Sequence, residues 1–566
     1  MTQDNTLLIN EPDDQPTTPK RVLIVGGVAG GASCAARLRR LDEDAEIVMV
    51  ERGPYISFAN CGLPYHIGGV IEERDDLLVQ TPESFNARFE VDVRTLTELI
   101  SIDREANTAL LRDVDSGHTS TMHYDALVLS PGASPFEPPI PGADLPEVHA
   151  LRTIPDMDRI IEACDEEPPE HVTVVGGGFI GLEVAENLAH RGIDVSVVEM
   201  GHQVMPNLDP EIAAAVGDAC RRHGVEVRTE TRVVGISRAE GALEVETDDG
   251  AKKRADLVIM AVGVRPEAGL AEAAGLELGE RGGIAVDDQM RTSDPKIFAI
   301  GDAVEVNHRI TGESGMMPLA GPANRQGRLV ADVISGRDVR YPGAQGTSIM
   351  KIFDTTVACT GLSQKHARRL DTPHEVAWVS GASHASYYPG SETITLKAVF
   401  DPDSGKLLGA QGFGRDGVDK RIDVLATAVA AGMSVWELQE LDLAYAPPFS
   451  SAKDPVNHLG AVAAGILDGD HPAISWEELA ESAGYFTLLD VRGPEEFEAG
   501  TIPGALNIPL DSLRERLDQL DADTPLAVVC KEGLRGYLAT RILVQNGLDA
   551  RNLLGGYRLW KLAGGQ

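Results

Sequence analysis

Apolar residues fall in short unbroken runs over much of the first 300 positions: Arg21–Val25, Glu46–Val50, His171–Val175, Asp194–Val198 and Asp256–Gly263. Runs this short, apolar at successive positions, predict strands buried on both faces of a parallel sheet. Helix-compatible stretches, 32–41 and 182–191, separate them in pairs. Further on the pattern changes. Ile394–Phe400 alternates like a strand with one face covered, Asp401–Gly405 has turn chemistry, and Leu407–Gln411 resumes the strand. Asp423–Ala431 reads as an apolar helix. Leu467–Pro472 is polar and turn-rich, a linker, with a compact new unit after it.

The two early units share one grammar. The strand 21–25 runs into Gly26-Gly27-Val28-Ala29-Gly30-Gly31, then a helix, then a strand that ends on Glu51. The strand 171–175 runs into Gly176-Gly177-Gly178-Phe179-Ile180-Gly181, and its second strand ends on Glu199. Strand, glycine turn, helix, strand and acid are the order of a dinucleotide site. Gly26 and Gly31, and Gly176, Gly178 and Gly181, let amides approach a pyrophosphate at a helix N-terminus. The acids bind ribose hydroxyls. Val28 replaces the middle glycine of the first unit. Glu199 favours the free 2′-hydroxyl of NADH; His202 nearby keeps NADPH open.

Just beyond the first unit lies Ser57-Phe58-Ala59-Asn60-Cys61-Gly62-Leu63-Pro64-Tyr65. Gly62 and Pro64 predict a bend after Cys61. His66 stands where a Cys-x4-Cys pair would need its second sulfur, so any redox partner of Cys61 must come from outside this loop.

The formal net charge of −38 argues against nucleic acid, which needs basic surface. No run of about 18 apolar residues predicts a membrane span, and residues 1–20 form a polar tail without a signal-peptide core. The six cysteines, at 34, 61, 164, 220, 359 and 530, show neither zinc spacing nor disulfide density. No metal site is expected, and a reducing cytoplasm is the expected location.

Between and after the two units lie Tyr124–Ala133, Asp256–Gly263 and Thr292–Asp302. With these the chain resembles the two-dinucleotide flavoprotein disulfide reductases. The motif Ser-Phe-x-x-Cys-x-x-Pro-Tyr at 57–65, with Pro318–Arg325 and Tyr445–Pro455, resembles their coenzyme A-disulfide and persulfide reductase branch. The resemblance covers roughly 21–465. Leu488–Arg492, Glu495–Phe497, Gly500–Ala505 and Val528–Arg535 resemble rhodanese domains.

The resemblance implies an α/β protein with two Rossmann-like domains, an α+β dimerisation domain and a C-terminal α/β rhodanese domain. FAD would occupy 21–145 and 276–340, NADH 146–275; dimerisation would use 345–465, a linker 466–474 and the rhodanese 475–566. Gly301 and Asp302 would return to the flavin. Cys61 would form a mixed disulfide with coenzyme A, and Tyr387 and Tyr445 would reach across a homodimer. Phe449 stands where a tyrosine is usual. Ser33, Arg37 and Arg40, at i, i+4 and i+7, share a helix face. They would hold coenzyme A phosphates with Ser57, Asn60, Asn324, Lys453 and, less directly, Arg88, since the family's basic residue aligns with Phe89. In the rhodanese unit a strand delivers Cys530 into a short loop whose amides, with Arg535, favour a thiolate and then a persulfide. Thr501 replaces the usual histidine.

Together these features predict an FAD- and coenzyme A-dependent NADH persulfide or polysulfide reductase, with Cys530 passing sulfur towards Cys61 across a flexible linker. Three rivals stand beside it: a coenzyme A-disulfide reductase with an accessory rhodanese; an NADH oxidase or peroxidase whose cysteine cycles through sulfenic acid; and a non-enzymatic redox sensor or sulfur carrier.

Overall fold

A computed structural model describes residues 20–166, 168–239, 241–482 and 484–564; the tail expected over 1–20 lies outside these, Lys20 apart. Arg21–Val25 is the central strand of a five-stranded parallel sheet, flanked by Glu46–Val50 and Ala126–Leu129. Asp92–Arg94 and Ile297–Ala299 form its edges. Val22, Leu23 and Ile24 are wholly buried, which matches the apolar run 22–25. Each such side chain contributes roughly 1.5–3 kcal/mol of burial.

A second parallel sheet repeats the plan, with His171–Val175 at its centre between Asp194–Val198 and Leu257–Met260. Both crossover helices begin earlier than the apolar pattern indicates. They span Ala29–Arg39 and Phe179–His190, starting inside the glycine turns. The turns are therefore already helix N-termini, as anion binding needs.

Ser348–Gly414 supplies a five-stranded antiparallel sheet, with Thr393–Phe400 and Leu407–Gly414 side by side within it. The helix Val418–Ala431 packs on this sheet, five residues longer at its start than its apolar portion. The last sheet is parallel, in the order Ala473–Ile474, Ala550–Leu553, Leu526–Val529, Thr487–Asp490, Leu506–Asn507.

The stretch expected as a flexible linker is built into the structure. Its last residues, 473–474, are the edge strand of that C-terminal sheet. His471 is buried, donates its backbone N–H to Gly465 O at 2.8 Å, and pairs its ring with Asn552 Nδ2 at 2.9 Å. The C-terminal domain also docks on the body. Trp476 Nε1 donates to Glu211 Oε1 at 3.0 Å, and Arg368 grips Glu477 at 2.9 and 3.0 Å. Leu554 and Leu559 join a core that includes Ile212 and Val216. Among the described residues no helix is long and apolar enough to cross a membrane, and no group of His, Cys, Asp and Glu is placed to hold a metal.

Candidate active site

The two glycine turns have the same internal geometry. A Cβ on Gly31 would lie 1.8 Å from Gly26 O, and one on Gly181 would lie 2.1 Å from Gly176 O. Only glycine permits that approach of helix to strand. A Cβ on Gly178 would meet nothing within 4 Å, so this turn opens onto space. Neither helix start, at Val28 or Gly178, has a side-chain cap. Their first amides are left for a ligand. Glu51 accepts the N–H of Gly27 and of Gly53 at 2.9 and 2.8 Å. Glu199 accepts those of Gly177 and Gly201 at 2.7 and 2.6 Å. Each carboxylate is thus pinned at the end of its strand. Uncapped helix starts, closed glycine contacts and pinned acids fit two dinucleotides such as FAD and NAD(P)H.

Cys61 is reached by a tighter path than the expected bend. Asn60–Gly62 form a single 3-10 turn that runs into the helix Leu63–Ile67, and Pro64 sits in its first turn, where proline is tolerated. Cys61 lines a cavity of about 1800 Å³ together with Asn60, Tyr65, Glu183, Arg152 and Asp302. The cavity continues to Gly176, Gly178 and Glu199 of the second turn. Cys61 is the only cysteine among the residues that line it. Partial burial, then the Glu183 carboxylate, raises the Cys61 thiol above its usual pKa, while Arg152 acts in the opposite direction. Asp302 is held by Arg152 at 3.0 Å, and the Gly301 N–H donates to Gln326 Oε1 at 2.7 Å.

A second cavity, of about 370 Å³, gathers Ser33, Arg37, Arg40, Ser57, Arg88 and Asn324, six of the eight residues expected to bind coenzyme A. Within it three of these residues already have protein partners. Arg37 is not a free cation, because its guanidinium binds Asp332 at 2.7 Å, and both side chains are largely covered. Ser33 Oγ donates to Asn324 Oδ1 at 2.6 Å, so these two act as one group. Arg40 and Arg88 are exposed. Asn60 faces the Cys61 cavity instead, and Lys453 lines neither cavity. Lys453 is exposed on the domain that carries Tyr387 and Tyr445. Those two tyrosines are 74 % and 49 % exposed, and their hydroxyls meet at 2.9 Å, away from the Cys61 cavity of their own chain.

In the last domain the strand Leu526–Val529 delivers Cys530 to a loop that opens the helix Leu534–Gln545. The carbonyls of Cys530 and Lys531 are taken by the amides of Tyr557 and Arg558, at 2.8 and 3.0 Å. The Gly533 N–H points back at Cys530 Sγ, 3.0 Å away. Arg535, expected to stabilise sulfur on Cys530, forms a bidentate pair with Glu496 at 2.6 and 2.8 Å and lies close enough to Cys530 for the two to interact electrostatically. Thr501 donates its hydroxyl to Asp490 Oδ2 at 2.7 Å, a donor's place that a histidine could equally fill.

Three residues of these sites carry no motif signal of their own. Arg328 lines the basic cavity one helical turn after Asn324, a spacing that could have revealed it. Glu183 and Arg152 reach Cys61 only through tertiary structure. Burial, then the nearby Glu186, pushes the Glu183 carboxyl up to about 7, against the Tyr65 hydrogen bond.

Residues 20–327 match the family described as pyridine nucleotide-disulphide oxidoreductase, 347–455 its dimerisation domain, and 475–563 the rhodanese-like domain. The reduced Bacillus anthracis protein called CoADR-RHD superposes with a TM-score of 0.93 and 50 % identity, covering 96 % of this chain and 98 % of that one. An NAD-dependent persulfide reductase from A. fulgidus superposes with a TM-score of 0.90 and 39 % identity, covering 95 % and 100 %. The coenzyme A disulfide reductase of Staphylococcus haemolyticus is 34 % identical over 442 residues, 78 % of this chain and 98 % of that protein.

Proposed function

The chain belongs to the pyridine nucleotide-disulphide oxidoreductases, with a rhodanese-like domain at its C-terminal end, and from that premise we propose that it is an NADH-dependent persulfide or polysulfide reductase working through coenzyme A on Cys61. The observation that carries this reading is the large cavity. It joins the second glycine turn to a single thiol, with no second cysteine among the described residues along its walls. Bound FAD and NADH would supply hydride donation and its transfer to sulfur.

The chain's own residues do the rest. Glu199, fixed by two amides, selects the ribose of NADH. Asp302 and Arg152 hold one wall of the cavity near Cys61. The basic pocket around Arg40, Arg88 and Arg328 fits the phosphates of coenzyme A, since guanidinium groups pair with phosphate oxygens. Coenzyme A then supplies the second sulfur as a mixed disulfide with Cys61. Once reduced, the Cys61 thiolate attacks the carbon-bound sulfur of coenzyme A persulfide; the S–S bond breaks, hydrosulfide leaves with the electron pair, and the Cys61–coenzyme A mixed disulfide forms again. Tyr387, Tyr445 and Lys453, exposed on the dimerisation domain, are proposed to complete the site of a second copy. The similarity to the A. fulgidus persulfide reductase over nearly the whole chain supports the substrate class.

A coenzyme A-disulfide reductase is the second reading, favoured by the basic pocket and by the Staphylococcus relative. Anaerobic NADH oxidation separates the two. The enzyme is given coenzyme A disulfide, coenzyme A persulfide or polysulfide, and sulfide is followed. Persulfide turnover with stoichiometric sulfide, faster than turnover of the disulfide, is expected. Faster disulfide turnover would establish the second reading.

A further inference from the structure

Every guanidinium around the Cys530 loop is held by a carboxylate among the described residues. Arg535 has its bidentate pair with Glu496 at 2.6 and 2.8 Å. Arg558 binds Glu532 at 3.1 Å, and Arg492 binds Asp490 at 2.6 Å. Lys531, well exposed, comes only within 3.9 Å of Glu532. An anionic loop site ordinarily uses its arginine to meet the incoming anion. Here that fork is turned to a carboxylate at the mouth. Arg535, its hydrogen bonds first, holds the Glu496 carboxyl down at about 2, so it stays ionised at any working pH.

A second observation concerns the rim. Leu534 and Leu538 lie one turn apart at the start of the helix that the loop opens, and both are exposed, Leu534 by 73 %. Apolar surface beside a buried thiol matches a donor with a hydrocarbon chain.

We propose that Glu496 is the charge filter of the Cys530 loop: by holding Arg535 it disfavours doubly charged inorganic sulfur donors and admits sulfane sulfur carried on an alkyl chain. This rests on reading the C-terminal domain as a sulfur-transfer site. The Cys530 thiolate attacks the outer sulfur of R–S–S⁻. The S–S bond of the donor breaks, RS⁻ leaves with its electron pair, and Cys530–S–S⁻ forms, with no net oxidation. With thiosulfate the leaving group would be sulfite. To bind, the thiosulfate dianion must displace Glu496 from Arg535, and the freed carboxylate then faces it as a like charge. A monoanionic alkyl persulfide can leave the pair intact, its chain lying on Leu534 and Leu538.

The test uses the full-length protein with cyanide as sulfur acceptor, and thiocyanate is measured. Cyanide removes the outer sulfur and returns the Cys530 thiolate. Donors are thiosulfate and 2-hydroxyethyl persulfide. Wild type should prefer the persulfide in kcat/KM. Glu496→Gln should raise the thiosulfate-to-persulfide ratio about tenfold, the weight of one charge-assisted pair. Glu496→Asp, which keeps the charge, should leave the ratio near wild type, as a purely structural role would not predict. If Glu496→Gln moves both donors together, or if Asp and Gln shift the ratio alike, the filter is wrong. If wild type transfers sulfur from neither donor, the sulfur-transfer reading itself falls, and the filter with it.

Discussion

The Tyr65 hydroxyl stands 3.4 Å from Glu183 Oε1, and both side chains line the cavity of Cys61. Tyr65 lies four residues after the thiol; Glu183 comes from the crossover helix of the second dinucleotide unit. One contact thus ties the sulfur segment to the second dinucleotide unit. The Glu183 carboxyl is pushed up to about 7, and the Tyr65 phenol up to about 12, each by burial first. A carboxyl raised by folding binds its proton more tightly in the native state. Its contribution to stability is therefore complete below about pH 4.5 and is lost as pH climbs through about 7. Glu183→Gln should remove roughly 1–2 kcal/mol of that pH dependence, after discounting for access to solvent. Denaturant unfolding of the cofactor-free protein at pH 5 and pH 8 reads it; an equal pH dependence in both proteins would refute it.

Cys61→Ser should reduce NADH-dependent turnover of persulfide or disulfide to below a few per cent while leaving FAD bound. Cys61 is the only cysteine lining the large cavity, and no residue of the first glycine turn depends on it. Flavin absorbance after desalting checks binding, and anaerobic NADH oxidation checks turnover. Substantial remaining turnover would place the chemistry elsewhere.

NADH should exceed NADPH in kcat/KM by at least about tenfold. Glu199 is clamped by the amides of Gly177 and Gly201, so it cannot swing away from a 2′-phosphate. Steady-state kinetics with each nucleotide decides. Parity would mean that His202 or another group compensates.

The arginines of the basic pocket should divide into two kinds. Arg40→Ala and Arg328→Ala should each raise KM for coenzyme A disulfide about tenfold, the loss of one guanidinium–phosphate contact. Neither should much affect a small persulfide. Arg37→Ala should instead lower stability by about 1–3 kcal/mol. It leaves the buried Asp332 with only Arg337 at 3.3 Å. Kinetics on both substrates, together with thermal unfolding, separates the two effects. Equal KM changes at positions 37 and 40 would show that Asp332 releases its arginine to the ligand.

The repeated unit was legible because its signals are local. Apolar runs at 21–25 and 171–175, glycines whose Cβ would strike a carbonyl, and a terminal acid all lie within some 30 residues of one another. The helix face of Ser33, Arg37 and Arg40 was legible for the same reason, and those residues do line one pocket. What each arginine binds was not. Asp332 lies 295 residues from Arg37, and Glu496 lies 39 from Arg535. Helical spacing carries no information about a carboxylate brought up by another element. Glu183 was invisible as a partner of Cys61 for that reason. The connector misled in a different way. Asp468, Gly469, Asp470 and Pro472 have the composition of a free loop, yet His471 among them is buried against Asn552 and pushed down to about 4 by burial.

That buried histidine bears on how the molecule comes apart. His471 reaches back to Gly465 through its backbone and forward to Asn552 through its ring, while Trp476 and Glu477 fasten the next turn to the body. A domain hung on a tether would melt by itself, at its own temperature. A domain keyed in this way loses its edge strand when the body unfolds, and the body loses part of its core when the domain leaves. These contacts couple the domain of Cys530 to the body that holds Cys61, and calorimetry of the full chain should show the two lost together; a separate, earlier transition for the C-terminal domain would refute the coupling.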